Sequence, residues 1–212
     1  MDLFLDEFIA NERLDDSFRG LVSEAYLPIA ERILSWKAEK GEPLVVAING
    51  AQGTGKSTLS RFLSDIFRDS AGLNACVLSL DDLYLSRSDR LALGEKVHPL
   101  LVTRGVPGTH DTDLLLKCLK HLKNRNFKNI SIPKFDKSSD DRLSKKKWQK
   151  VTKKPDIVIF EGWCVGATPQ KNKDLIQAVN VLEEKNDRKR IWRNRVNKEL
   201  KNKYKKIFKL ID

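Results

Sequence analysis

The segment Gly50-Ala51-Gln52-Gly53-Thr54-Gly55-Lys56-Ser57 constrains this chain more than any other. It fits the pattern G-x-x-x-x-G-K-[ST], follows the uninterrupted apolar run Leu-Val-Val-Ala-Ile at 44–48, and opens a stretch of helical periodicity over 56–69. An apolar run without polar alternation marks a strand buried on both faces of a parallel sheet. A glycine-rich turn between such a strand and a helix aims successive N–H groups at an anion, and the helix N terminus adds partial positive charge. Lys56 is then placed to reach the β- and γ-phosphates of a nucleoside triphosphate, and Ser57 to offer its hydroxyl to Mg²⁺. A dinucleotide-binding glycine fingerprint fits less well, because Lys56 and Ser57 would have no role in it. A glycine turn without a ligand is the bland alternative.

The surrounding pattern extends this reading. Residues 75–80 and 157–160 are further apolar runs without alternation, and 129–132 reads as a short strand before Pro133. Helical spacing recurs over 16–39, where Phe18, Leu21, Val22, Ala25, Ile29, Ile33 and Leu34 fall on one side, over 112–123, and in charged form over 188–209. Gly41-Glu42-Pro43 ends the first of these. Strands alternating with helices predict an α/β fold with a parallel sheet covered on both faces. The expected division is an N-terminal helical segment, 1–43, packed on a nucleotide-binding domain, 44–212.

Composition excludes several classes. The apolar runs are too short to cross a bilayer, so no membrane partner is expected. The first ten residues hold Asp2, Asp6 and Glu7 and no Lys or Arg, unlike a secretory leader, and a cytoplasmic location is expected. Cys76, Cys118 and Cys164 are too few and too widely spaced for a disulfide framework or a C-x-x-C pair. The net charge of +11 concentrates towards the end, where residues 170–212 carry 14 Lys or Arg against 6 Asp or Glu. A solvated lysine-rich helix face explains this tail more simply than nucleic acid does, and the lysine run 145–154 reads the same way, with only Trp148 for base stacking. Oligomeric state is not legible.

Two acidic strand ends narrow the chemistry. In an open α/β sheet, ligands sit at the carboxyl ends of the strands. The run 75–80 leads into Asp81 and Asp82, where a carboxylate can accept the proton of an attacking hydroxyl; a turn or helix-capping role is the alternative. The run 157–160 leads into Glu161-Gly162-Trp163, where Glu161 is a candidate Mg²⁺ partner and Gly162 is expected to leave room for a ligand.

These features resemble the P-loop kinases of small metabolites that include uridine kinase, phosphoribulokinase and pantothenate kinase, and within that group the D-glycerate 3-kinase type most. The matching blocks are 50–58, 79–85, 104–111, 133–138, Asp141-Arg142 and 161–166, in that order, with 180–183 and Trp192-Arg193 also fitting. The resemblance implies a three-layer α/β/α kinase fold, ATP and Mg²⁺ as cofactors, and a small-molecule hydroxyl acceptor as partner. It implies nucleotide contacts from Gly50, Ala51, Gln52, Gly53, Thr54, Gly55, Lys56, Ser57 and Thr58, with Ser57 and Glu161 at the metal. By position, Asp81 matches the general base, with Asp82 a close second. Arg104, His110 and Asp111 fall in the block expected to line the acceptor pocket, with Lys137 and Arg142 as further candidates. A small hydroxy acid needs a cation for its carboxylate, and the fork of Arg104 suits it; a loop-fixing ion pair with Asp111 or another acid is the alternative.

Two departures stand out. The resembling family has Gly before the Asp-Arg pair, where this chain has Asp140, a negative charge that would repel an anionic acceptor. The family also continues past this chain's end, into a lid that carries arginines. Residues 207–212 are expected to enter another core strand, and Arg188, Arg190, Arg193 and Arg195 are candidate substitutes for lid cations. The reading is an ATP-dependent kinase acting on D-glycerate. The alternatives are a catalytically impaired ATP-binding remnant and a kinase with a nucleoside- or pantothenate-like acceptor.

Overall fold

A computed structural model describes residues 2–212. In chain order the first half runs α1 (Asp2–Glu12), α2 (Phe18–Leu21), α3 (Leu27–Lys40), β1 (Leu44–Asn49), α4 (Lys56–Ala71), β2 (Ala75–Ser79), α5 (Arg87–Lys96) and α6 (Thr112–Leu122). The second half runs β3 (Ile130–Ile132), β4 (Phe135–Asp136), β5 (Asp141–Arg142), β6 (Gln149–Val151), β7 (Ile157–Gly162), α7 (Val181–Asn186), α8 (Ile191–Glu199) and α9 (Lys205–Phe208). A π-helical turn, Val22–Tyr26, joins α2 to α3.

The central sheet is parallel, in the order β1-β7-β2. Its register pairs Ile48 and Ser79 with Glu161, so the phosphate-loop entrance, the Asp81 turn and Glu161 meet at one end. Alternate residues of each strand enter different cores, which is why the strands read as unbroken apolar runs. Leu44, Ile157 and Ile159 join Phe62, Leu63, Ile66 and Phe67 of α4, beneath α1–α3. Val45, Cys76, Leu78, Val158 and Phe160 join Leu115, Leu119 and Leu122 of α6 and the 200–207 segment on the other face. The result is the expected three layers. Phe62 is fully buried, and the rings of Phe4, Phe8 and Tyr26 meet it edge-on at 5.3–5.7 Å, fastening the N-terminal helices to α4.

Three elements differ from the sequence reading. The 129–132 strand pairs antiparallel with β6, outside the central sheet. Residues 207–212 do not form a strand: Tyr204, Ile207 and Phe208 share one helical face against the core, which keeps this stretch helical through α9. Asp212 hydrogen-bonds to the β1 edge, its N–H donating to the Val45 carbonyl and its carboxylate accepting from the Val45 N–H at 2.9 Å. Helix α5 has no apolar stripe; Ser86 caps it by accepting from the Asp89 N–H, and the buried Arg90 anchors it. No helix among the described residues is long and apolar enough to cross a membrane.

Candidate active site

The phosphate loop leaves β1 at Asn49 and closes onto α4. Gly53 and Gly55 adopt φ of 83° and 78°, the left-handed region that glycine enters without strain. Gly50 is closely approached: a Cβ there would lie 2.6 Å from Thr54 Oγ1, which donates to the Ala51 carbonyl. No side chain caps α4 among the described residues, so its first amide groups remain available to an anion. Lys56 folds back over the loop, its Nζ 3.4 Å from the Ala51 carbonyl, while Ser57 is exposed.

Beside the loop lies a cleft of about 600 Å³. Its lining joins Lys56, Asp81, Tyr84, Arg104, Lys137 and Trp163, from five separate stretches of the chain. Asp81 accepts from the Lys137 ammonium at 3.1 Å and the Tyr84 hydroxyl at 3.0 Å. Burial pushes the Asp81 carboxyl up, but Lys137 and Tyr84 together outweigh it and hold the group below the ordinary aspartate value. Burial and the adjacent Asp81 push the Tyr84 hydroxyl far up, so it stays a donor. The Trp163 indole donates to the Gly105 carbonyl at 3.0 Å, closing one wall.

Asp82 turns away from this cleft. It accepts from Lys134 at 2.7 Å and from the Phe135 N–H at 3.2 Å, tying the turn after β2 to β4, so the structure does not bring this second candidate base into the cleft lining beside Asp81. His110, Asp111 and Arg142 are likewise absent from the cleft lining. Asp111 caps α6 by accepting from the Leu114 N–H at 3.0 Å, and it pairs with Arg142 at 3.1 Å. Arg142 also donates to the Tyr84 carbonyl, at 2.7 Å from Nη2, so this pair fixes the wall from behind. His110 is buried against Tyr84 with ring centroids 4.4 Å apart, and its Nδ1 lies 2.6 Å from the Tyr204 hydroxyl. Burial pulls its pKa down to about 3, so it is neutral. These residue types suit an acceptor site, but caps and second-layer ties use the same ones.

Arg104 does line the cleft, and it forms the alternative ion pair with an acid, namely Asp140. Asp140 has a φ of 54°, a backbone position that favours glycine. Gly162 does not leave space for a ligand: a Cβ would lie 2.6 Å from Leu80 Cβ and 3.0 Å from Val165 Cγ2. Arg193 is buried among Asp187 and Glu183, and Arg195 pairs with Glu199 at 2.8 Å; neither lines the cleft. The sequence reading gave Tyr84, Trp163 and Arg90 no role. Tyr84 and Trp163 lie in blocks it matched, whereas nothing local distinguishes Arg90 from a surface arginine.

Glu161 bears on the metal. It is buried, its Oε1 accepts from the Ser79 hydroxyl, and its Oε2 has no partner among the described residues. A buried, unpartnered carboxylate oxygen in register with the loop entrance fits a hard cation held directly or through water.

The profile described as the phosphoribulokinase/uridine kinase family matches residues 45–196. The chain is 32% identical over 197 residues to the uncharacterized kinase mug58 of Schizosaccharomyces pombe, covering 87% of this chain and 69% of that one. It is 31% identical over 146 residues to the chloroplastic D-glycerate 3-kinase of Arabidopsis thaliana, covering 65% of this chain and 32% of that one. Among solved structures, a D-glycerate 3-kinase from Cryptococcus neoformans superposes with a TM-score of 0.75 at 32% identity, covering 88% of this chain and 70% of that one.

Proposed function

This chain belongs to the phosphoribulokinase/uridine kinase family of ATP-dependent P-loop kinases, and from that premise we propose that it transfers the γ-phosphoryl group of ATP to a hydroxyl of D-glycerate. The observation that carries the reading is one cleft shared by Lys56, Asp81 and Arg104. Lys56 and the loop N–H groups neutralise the phosphates. Arg104 orients the acceptor's carboxylate. Asp81, kept ionised by Lys137 and Tyr84, accepts the hydroxyl proton as the acceptor oxygen bonds to γ-phosphorus and the bond to the ADP oxygen breaks. Ser57 and Glu161 are the residues suited to hold Mg²⁺, which supplies charge neutralisation on the phosphate oxygens. Acceptor identity rests on the D-glycerate 3-kinase relatives and on Arg104.

The test is ADP release by the 212-residue chain with MgATP and D-glycerate, beside Lys56→Ala. D-glycerate is expected to stimulate release in the parent, and the variant to lose the stimulated rate. Full activity in the variant refutes the role of the loop. Stimulation of the parent by a nucleoside or pantothenate but not by D-glycerate refutes the acceptor.

A further inference from the structure

We infer that Asp140 is an internal counter-ion that the acceptor's carboxylate must displace from Arg104. This rests on the hydroxy-acid reading above. Asp140 stands between β4 and β5, and its carboxylate pairs with Arg104 and, at 3.0 Å, with Arg90. Its carbonyl also accepts from Arg90, at 2.6 Å. Arg90 is 1% exposed, and its remaining N–H groups reach the Val102 carbonyl at 2.7 Å and the Leu85 carbonyl at 3.3 Å. Backbone carbonyls thus accept from three of the five N–H groups of Arg90, and the Asp140 carboxylate supplies its counter-charge. The Asp140 carboxylate bridges this buried cation and Arg104, one oxygen to each, and it lies in the cleft lining beside Arg104.

Arg104 keeps 31% of its side chain exposed, with its guanidinium 5.6 Å from the Phe135 ring centre. It is the group placed to take a carboxylate, and it is already paired. Burial pushes the Asp140 carboxyl up, but Arg104 and Arg90 outweigh that and hold it below the ordinary aspartate value, so it is charged at neutral pH. An incoming carboxylate meets this charge and competes with it for Arg104. Displaced from Arg104, Asp140 still has Arg90 as a partner, which makes the exchange feasible without stranding a charge. A neutral polyol meets no such competition. Asp140 thus acts as a specificity-determining residue that weakens anionic acceptors relative to neutral ones.

The experiment compares kcat/KM for D-glycerate and for glycerol in the parent, in Asp140→Asn and in Asp140→Gly. Both replacements tolerate the left-handed backbone and keep the carbonyl contact to Arg90. The ratio of D-glycerate to glycerol is expected to rise about tenfold in either variant. The gain should vanish when Arg104→Ala is added, a result that a merely structural role would not produce. An unchanged or lower ratio overturns the inference while leaving the kinase reading intact. If neither acceptor is phosphorylated by any of these proteins, the acceptor reading fails separately. Calorimetric titration of D-glycerate into the parent and Asp140→Asn then decides: tighter binding in the variant supports the counter-ion role, and equal or weaker binding overturns it.

Discussion

Asp81 sits between the Lys137 ammonium and the Tyr84 hydroxyl, and both favour its ionised form. Asp81→Asn keeps the shape of this contact and removes the proton acceptor. It should lower kcat by on the order of a hundredfold or more, with little change in the Kd for MgATP, measured by single-turnover kinetics and equilibrium binding. Parallel loss of both would make the residue structural. His110 gives a prediction of another kind. Its pKa of about 3 in the folded chain lies below its ordinary 6.5. Between those values the unfolded chain binds a proton that the folded chain does not, so stability falls as pH drops below 6.5. Denaturation at several pH values should show His110→Gln flattening this fall by up to about 1.4 kcal/mol per pH unit. Equal slopes in parent and variant would contradict the buried neutral state. The placement of Asp81 at the cleft was legible because it follows an apolar run at a strand end. The positions of His110, Asp111 and Arg142 behind the cleft wall were not, because a capping carboxylate and a ligand-binding one look alike in sequence.

At the scale of elements, the end of β7 carries a close steric constraint. Gly162 ends the strand where Leu80 and Val165 already fill the position of a Cβ. Gly162→Ala forces that overlap and should cost about 1–3 kcal/mol in urea denaturation. A neutral result would mean that the turn after β2 shifts easily. β1, α4, β2, α6 and β7 were legible because each has a periodicity imposed by burial. α5 was not, because its anchor is one buried guanidinium on three carbonyls rather than an apolar stripe. The two-residue strands β4 and β5 were not legible either: a hairpin that short has no periodicity, yet it brings Lys137 and Asp140 to the cleft.

On the scale of the whole molecule, two cores meet through one sheet, and Phe62 joins the core beneath α1–α3 to α4, the helix that begins at Lys56. Phe62→Ala should cost about 3–5 kcal/mol, and hydrogen exchange should show α1–α3 losing protection together with α4. Retained protection in α1–α3 would mean that those helices are held by other contacts. The amino-acid order by itself determined the alternation of strand and helix, the phosphate loop and the carboxylates at the strand ends. Those features depend on neighbours a few residues apart, where backbone geometry and burial periodicity act directly. Only the tertiary structure decided which of the remaining polar groups face the cleft and which tie its walls. It paired Arg104 with Asp140 from 36 residues away, turned Asp82 to Lys134, and placed Arg142 behind Tyr84. Charge pairing has no sequence period, so such choices emerge only when distant segments pack.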